Sequence, residues 1–223
     1  MKAQFDAPTL AKEILGKLAA LTTGNTETVR RLRRIYSLRL KRAPGADVVD
    51  LALLLASHGD FRSRFVAYEL IKEHKEAFSI LTTPLILELG HGLDSWGKVD
   101  CYACYISGPA WREGRLTADV VRGWAQSPDR WWRRAALVST IALSRLGQSH
   151  HVPAIIDICR LEAPDRDPLV VKALSWALRE LAKSHPKDAQ AFLAQHRAAL
   201  ASLITREVQC KIDTGIKAPR KRE

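Results

Sequence analysis

The chain has 223 residues, 47% of them hydrophobic, which is enough for a packed globular core. Lysine and arginine number 35 against 24 acids, so the net charge is +11 and a polyanionic partner is expected, nucleic acid first and an anionic membrane surface second. The first residues include Asp6 and Glu13 and no long apolar run, so we expect neither a signal peptide nor a membrane span, and a cytoplasmic protein.

Apolar residues recur at helical spacing along almost the entire chain, and the β-branched alternation of strands is missing. The sequence therefore predicts an all-α fold of around a dozen helices, each about 10 to 18 residues long. Glycine and proline mark the predicted breaks between helices, at residues 22–24, 44–45, 58–59, 107–109, 127–128 and 163–164.

The first strongly charged element is residues 30–42, RRLRRIYSLRLKR, which hold seven cations and no acid. An apolar stripe is predicted to bury one side of this helix, through Val29, Leu32, Tyr36 and Leu40. A solvated basic face is one interpretation, but seven uncompensated charges repel one another and gain most from a phosphate backbone. The cations of this segment predicted to contact DNA are Arg30, Arg33, Arg34 and Lys41.

A weak internal repeat follows, in which four similar segments begin with an aspartate after a turn and continue as an apolar helix. These aspartates are Asp60, Asp94, Asp129 and Asp167, at intervals of 34, 35 and 38 residues. An aspartate at that place can cap free backbone N–H groups of a helix, so all four are predicted caps. A period of this length predicts a HEAT-like α-helical solenoid with a concave basic face. We expect one such domain over residues 1–213, followed by a disordered basic tail at residues 214–223.

Residues 93–106, LDSWGKVDCYACYI, contain a second acid, Asp100, six residues after the aspartate of its repeat. Counted in the same way, the other copies carry small or apolar residues there, namely Val66, Ala135 and Ala173. Asp100 also lies four residues after Trp96, so the two side chains share a helix face. Only this repeat therefore places a carboxylate beside an indole.

Four cysteines are too few for a disulfide framework in a chain of this length, and we expect reduced thiols. Cys101 and Cys104 form a lone CxxC inside a helical pattern, where such a pair behaves as small core residues. No second CxxC completes a metal site, and the histidines have no acid or cysteine at ligand spacing. The sequence therefore predicts no metal and no cofactor.

A second cationic line runs along one face of a later helix, at spacings of i, i+4, i+7 and i+11. It consists of Lys172, Trp176, Arg179 and Lys183. The apolar stripe of the same helix lies on a different side and consists of Val170, Leu174, Ala177 and Leu181. Trp176 is therefore predicted to be an exposed aromatic, whereas Trp124 and one of Trp131 and Trp132 are predicted to be core residues.

Several short motifs follow one another along the chain. They are WGKVD at residues 96–100, WWRRAA at residues 131–136, KALSWALRE at residues 172–180 with Lys183, and TREV at residues 205–208. In this order and spacing they resemble the AlkD-type DNA alkylation repair glycosylases, which are built from HEAT-like helical repeats. The resemblance covers roughly residues 60–212.

The resemblance implies that Asp100 is the catalytic carboxylate and that Trp96 and Trp176 flank the deoxyribose of the damaged nucleotide. It also implies that Arg134 takes part in the catalytic site by holding the adjacent DNA backbone. Further DNA contacts are expected at Arg133, Lys172, Arg179 and Lys183. The implied partner is double-stranded DNA containing alkylated bases, bound by a monomer and without a membrane.

The implied reaction is excision of purines that are alkylated at N3 or N7 and therefore cationic. A fixed carboxylate and electron-rich indole faces would stabilise the oxocarbenium-like sugar that forms, without the base being turned into a tight pocket. Two alternatives stay open. The chain could bind distorted or branched duplex without catalysis, or it could be a helical-repeat scaffold for protein partners, which the architecture alone would indicate.

Overall fold

The computed structural model describes residues 6–217, and within this range the chain contains fourteen α-helices and no β-strand. The helices are α1 (Ala7–Ala19), α2 (Thr26–Arg39), α3 (Gly45–Ser57), α4 (Phe61–Glu73), α5 (Lys75–Ser79), α6 (Thr83–Leu89), α7 (Trp96–Tyr102), α8 (Gly108–Arg112), α9 (Ala118–Ala125), α10 (Arg130–Ser144), α11 (Val152–Leu161), α12 (Pro168–Ser184), α13 (Pro186–His196) and α14 (Ser202–Thr214). A π-helical turn at Ala103–Ser107 follows α7, and a 3-10 turn at Ser149–His151 precedes α11. The predicted all-α fold is confirmed.

The helices form two compact units, the first ending at Ile106 and the second beginning at Ser107. In the first unit, α3 packs against α1, α4 and α5, while α4 packs against α2 and α7. In the second unit, α8, α10, α12 and α14 pack in sequence as one layer, and α9, α11 and α13 form another. Stacked helices of this kind are what a HEAT-like repeat predicts. A single domain over residues 1–213 and a concave basic face stay predictions, and residues 218–223 of the predicted tail lie outside the described residues.

Both predicted apolar stripes are buried, and they explain why these segments become helices that pack on their neighbours. The stripe of α2 consists of Val29, Leu32, Tyr36 and Leu40, none of which is more than 8% exposed. The stripe of α12 consists of Val170, Leu174, Ala177 and Leu181, and all four are fully buried. A different side of each helix is therefore left for charged side chains.

Three of the four predicted caps are confirmed. The carboxylate of Asp60 accepts a hydrogen bond from the Arg62 N–H at 2.8 Å and so caps α4. Asp129 caps α10 through the Trp131 N–H, and Asp167 caps α12 through the Leu169 N–H, each at 2.8 Å. Each bond satisfies a backbone donor that has no partner within the helix.

The fourth predicted cap, Asp94, is wrong. The N-cap residue of α7 is Ser95, and the Asp94 carboxylate instead pairs with Lys98 at 2.9 Å. The extended backbone of Ser95 delays the start of the helix by one residue relative to the other repeats. The alignment of this repeat therefore shifts by one position.

With this shift, the counterparts of Asp100 change. Asp100 is the fifth residue after its N-cap, and the fifth residues of α4, α10, α12 and α14 are Phe65, Arg134, Lys172 and Arg206. The predicted counterparts, Val66, Ala135 and Ala173, are the sixth residues and are fully buried. Asp100 is half-buried, so it occupies a position at the border of the core. In the second unit, the helices of the α10, α12 and α14 layer carry a cation there.

Helices α10 and α12 lie side by side and run in the same direction. Near their starts, the Arg134 guanidinium donates a hydrogen bond to the Leu169 carbonyl at 2.5 Å. Near their ends, the Ser184 hydroxyl donates to the Ser144 carbonyl at 3.5 Å. Equivalent positions of the two helices are therefore neighbours in space.

The predicted break at residues 107–109 is wrong. Helical conformation continues from Trp96 through the π-helical turn and α8 to Arg112. Pro109 is the second residue of α8 and follows directly after the π-helical turn, and the chain's helical path runs through it. Across residues 6–217, every helix is too short or too polar to cross a membrane.

Candidate active site and nucleic-acid interface

The start of α7 presents an exposed indole next to an acid. Trp96 is the first residue of the helix and is 61% exposed, which is unusual for the largest apolar side chain. Asp100 lies one turn later on the same face, between Val99 and Cys101, which are both buried. The carboxylate is thus fixed on a packed helix, with the indole beside it at the surface of the first unit.

The CxxC that overlaps this segment is reduced, and one of its thiols is buried. Cys101 and Cys104 are both free thiols, and burial raises the pKa of Cys101 well above its usual value. Redox-active cysteines have a lowered pKa, because the thiolate is the reactive species. Within residues 6–217, no group of three or more histidines, cysteines and acids is placed to hold a metal ion.

Two arginines of α2 are bound to one buried acid of α4. The Arg30 Nε lies 2.9 Å from one carboxylate oxygen of Glu69, and the Arg33 Nε lies 2.8 Å from the other. The Glu69 side chain is 3% exposed and that of Arg33 is 10% exposed, so this pairing is internal. Arg30 also donates to the Tyr105 hydroxyl at 3.3 Å, which ties α2 to the π-helical turn after Asp100. Glu69 raises the pKa of Arg30 by accepting its hydrogen bond.

The expectation that the cations of residues 30–42 are uncompensated is therefore wrong for four of the seven. Besides Arg30 and Arg33, Arg34 pairs with Glu27 at 3.4 Å and Arg39 pairs with Glu13 at 3.0 Å. All these acids lie outside residues 30–42, so the sequence of this segment alone could not reveal the ion pairs. Within the described residues the exposed cations of this segment that form no ion pair are Arg31, Lys41 and Arg42.

Helix α12 carries the second predicted line, and its four members differ in environment. Lys172 is exposed and forms no ion pair with any described residue. Trp176 is half-buried, so the prediction that it is an exposed aromatic is wrong. Arg179 lies 3.6 Å from Glu207 of α14, and burial lowers its pKa although Glu207 opposes this effect. Lys183 pairs with Glu180 at 2.7 Å on the surface. Lys172 is therefore the member most available to an external anion.

The two arginines at the start of α10 are engaged within the protein. Arg134 is 6% exposed and bonds to the Leu169 carbonyl, as described above. The Arg133 Nε lies 2.7 Å from Asp165, and the same side chain donates to the Ser127 and Pro128 carbonyls. Both side chains thus hold backbone at the starts of α10 and α12, and their contact with DNA stays a prediction.

The tryptophans of the second unit follow the prediction only in part. Trp124 is 7% exposed, as predicted for a core residue. Trp131 and Trp132 are both half-buried, so the prediction that one of them is a core residue is wrong. The Trp132 ring packs on Trp124, with 4.9 Å between centroids, at the edge of the core. Arg130 stacks on the Trp131 ring at 5.0 Å.

Sequence reasoning missed one available cation, Arg206 of α14. It is exposed, forms no ion pair within residues 6–217, and shares its place after the N-cap with Lys172 and Arg134. Counting from the true N-cap residues would have found it, because the cation then recurs in three helices of one layer. The TREV motif contains Arg206, although no role was assigned to it.

A buried acid near this layer predicts a measurable pH dependence. Glu162 is 2% exposed, its Oε1 atom has no hydrogen-bond partner among the described residues, and burial raises its pKa from 4.5 to about 8. Between pH 4.5 and about 8, Glu162 therefore keeps its proton in the folded chain and loses it in the unfolded chain. Its contribution to stability is complete below pH 4.5 and is lost as the pH rises through about 8.

We expect Glu162→Gln, which stays neutral, to gain stability relative to the wild type as the pH rises from 5 to 8. The gain should approach about 1.4 kcal/mol per pH unit, since one proton is linked to folding. Urea unfolding of both chains at several pH values measures the difference, and other titrating groups cancel in it. A difference that is constant with pH would contradict a protonated Glu162.

The fold and these side chains define a helical-repeat protein with an exposed indole beside an acid and with cations on a layer of parallel helices. The family model described as DNA alkylation repair enzyme matches residues 22–211, and the chain belongs to this family. The match begins well before residue 60 and thus includes α2. No curated protein and no solved structure matches the chain significantly. The family identifies the chain as an enzyme of DNA alkylation repair, with DNA as its partner.

Proposed function

We propose that this protein is a DNA glycosylase that excises cationic N3- or N7-alkylated purines from duplex DNA, as the first step of base excision repair. The observation that carries the proposal is the pair of Trp96 and Asp100 on one face of α7, in a chain of the alkylation repair family. The acid is half-buried on a packed helix, and the indole is exposed to solvent. A fixed negative charge beside an open aromatic face suits a substrate that becomes cationic at its sugar.

The reaction begins with a base that is already a good leaving group. The bond between C1′ of the deoxyribose and N9 of the purine breaks, and its electron pair neutralises the positive charge of the alkylated ring. Positive charge then develops at C1′ and the ring oxygen of the sugar. The Asp100 carboxylate stabilises that charge, and no acid has to protonate the departing base.

Water completes the reaction. Its oxygen bonds to C1′, and the proton that it loses passes to Asp100 and then to solvent, which leaves an abasic site and a free neutral base. The indole face of Trp96 adds attraction for the cationic sugar, and the damaged base stays outside any tight pocket. A role for Trp176 stays a prediction. This mode of excision differs from that of enzymes that turn the base out of the helix.

Cations of the helices would hold the DNA backbone during this step. Lys172 and Arg206 are exposed and form no ion pair with any described residue. The same holds for Lys41, which lies just after the end of α2. Arg30, Arg33, Arg34, Arg133, Arg134, Arg179 and Lys183 have partners within the protein, so a phosphate would have to compete with those partners or share the guanidinium or ammonium group. The unpaired cations therefore have the most to gain from a phosphate.

A product assay tests the proposal. Duplex DNA with a single 7-methylguanine is incubated with the protein, and free base and alkali-labile abasic sites are measured over time. We expect both products to appear at equal rates. Binding of the duplex without release of base would instead favour a non-catalytic DNA-binding protein of the same family, and absence of both would contradict the proposal.

We expect Lys172→Ala to weaken binding of duplex DNA without regard to sequence and to reduce the slope of log affinity against log salt by about 1. The reason is that one exposed cation without an internal partner releases about one counterion from a phosphate. Fluorescence anisotropy over a range of salt concentrations measures the slope. Lys12→Ala, which removes an exposed cation of α1 that forms no ion pair with any described residue, is the matched control and should leave the slope unchanged. Equal slopes for Lys172→Ala and the wild type would remove Lys172 from the interface.

A further inference from the structure

A second exposed aromatic side chain packs against α7, the helix that carries Trp96 and Asp100. Phe61, the first residue of α4, is 42% exposed. Its ring packs on Gly97 of α7, where a Cβ atom placed on the glycine would lie in van der Waals contact with the ring, at 3.4 Å. Neither the sequence motifs nor the family match assigns a role to this phenylalanine.

Helical geometry places this ring beside the acid. Asp100 is four residues after Trp96 and three residues after Gly97, and side chains at both spacings are neighbours on a helix surface. At 100° per residue, Asp100 points about 40° to one side of Trp96 and about 60° to the other side of Gly97. The acid therefore points between the Trp96 indole and Gly97, the residue on which the Phe61 ring packs.

The repeat places Phe61 and Trp96 at the same position. Each is the first residue after its N-cap, in α4 and α7 respectively, and these two helices pack together. Phe61 is supported from below by Phe65, with 6.0 Å between ring centroids, and Phe65 is 5% exposed. The inner side of the Phe61 ring is thus packed, and its outer side is free to meet a ligand.

We propose that Phe61 is a second aromatic contact of the damaged nucleotide, opposite Trp96 across Asp100, and that its ring faces the deoxyribose as that sugar becomes cationic. The proposal rests on the proposed glycosylase function and adds to it a residue that contacts the substrate. The face of a phenyl ring carries partial negative charge and attracts a cation within about 6 Å of its centre. The carboxylate and two aromatic faces would then surround the developing charge on three sides.

The test removes the aromatic ring and keeps its apolar bulk. We expect Phe61→Leu to slow single-turnover release of 7-methylguanine by about 3- to 30-fold, the range expected for one cation–π contact. Phe61→Tyr, which keeps a π face, should retain most of the rate. Leu87→Ala, which truncates an exposed apolar side chain of α6 in the same unit, is the control and should react at the wild-type rate.

A binding measurement separates the charge effect from a structural one. Duplexes containing a positively charged pyrrolidine or a neutral tetrahydrofuran at the abasic position are compared for each variant. We expect the wild type to prefer the pyrrolidine and Phe61→Leu to lose about 3- to 30-fold of that preference, with little change for tetrahydrofuran. A general folding defect would weaken binding of both duplexes equally, and thermal unfolding of each variant checks for such a defect directly.

The outcomes distinguish this inference from the proposed function. If the wild type releases base and Phe61→Leu matches it in rate and in preference for pyrrolidine, Phe61 has no such role although the glycosylase function stands. If the wild type releases no base, the proposed function fails, and the pyrrolidine comparison decides on Phe61 by itself. A wild type without preference for the charged analogue would overturn the inference.

Discussion

Replacement of Asp100 by asparagine should slow release of 7-methylguanine by about 10²- to 10³-fold, the usual cost of removing one fixed group that stabilises transition-state charge. Asparagine keeps the size of the side chain and removes its negative charge, so the packing of α7 should change little. Single-turnover measurement isolates the chemical step from product release. We expect the affinity for undamaged duplex to be unchanged or slightly higher, because a negative charge near the DNA is lost.

The chain offers a matched control for this experiment. Asp94 lies just before Ser95, the N-cap residue of the same helix, 65% of its side chain is exposed, and it pairs with Lys98 at 2.9 Å. Asp94→Asn removes an identical charge six residues away and should leave the rate within about twofold of the wild type, since the Asp94 carboxylate is exposed and its charge is screened by solvent. Equal slowing by both variants would mean that general electrostatics near α7, and not a positioned carboxylate, supports the reaction. No slowing by Asp100→Asn would remove Asp100 from the chemistry.

Apolar periodicity predicted the fold well because helix packing is decided by local pattern. The stripes of α2 and α12 are buried as expected, since each brings four apolar residues to one side of its helix. Asp60, Asp129 and Asp167 cap their helices because the local sequence supplies both the carboxylate and the backbone donor. The prediction for Asp94 failed because backbone conformation decides whether Asp94 or Ser95 is the N-cap residue, and the neighbouring sequence did not determine that conformation.

The candidate site was less accessible to sequence reasoning because it depends on contacts between distant residues. Glu69 binds both Arg30 and Arg33 from a helix more than 30 positions further along the chain, and no short-range pattern indicates such a pair. Phe61 was overlooked for the same reason, because only the packing of α4 on α7 brings its ring to Gly97. The one-residue shift at Ser95 also concealed the relation between Asp100, Arg134 and Lys172. Sequence motifs identified individual residue types, and tertiary packing determined which of them are available.

Replacement of Glu69 by glutamine should destabilise the protein by about 3 to 5 kcal/mol, the usual cost of removing one partner from a buried ion pair. The Glu69 carboxylate accepts from two guanidinium groups, and glutamine can satisfy at most one of these contacts while leaving both cations uncompensated. Most of the cost should arise from Arg33, whose side chain is 10% exposed, since Arg30 is 31% exposed and can be hydrated. Urea unfolding gives the free-energy change, and an unchanged slope with denaturant would show that the folded state stays compact.

Glu73→Gln is the matched control, because Glu73 lies one turn further along α4 and pairs with Lys72 on the surface. We expect it to cost less than about 1 kcal/mol, as exposed ion pairs do.

In a second experiment, Arg33→Met is combined with Glu69→Gln, so that the buried cation disappears together with its partner. Recovery of most of the lost stability would identify the unpaired Arg33 charge as the source of the loss, whereas additive losses would assign it to packing. Arg30 also bonds to Tyr105, in the π-helical turn that follows Asp100, so its pairing with Glu69 helps to hold the helix that carries the acid. A Glu69→Gln chain that folds should therefore release 7-methylguanine more slowly than Glu73→Gln. Equal rates for the two variants would show that the Glu69 pairing supports the fold without positioning the acid.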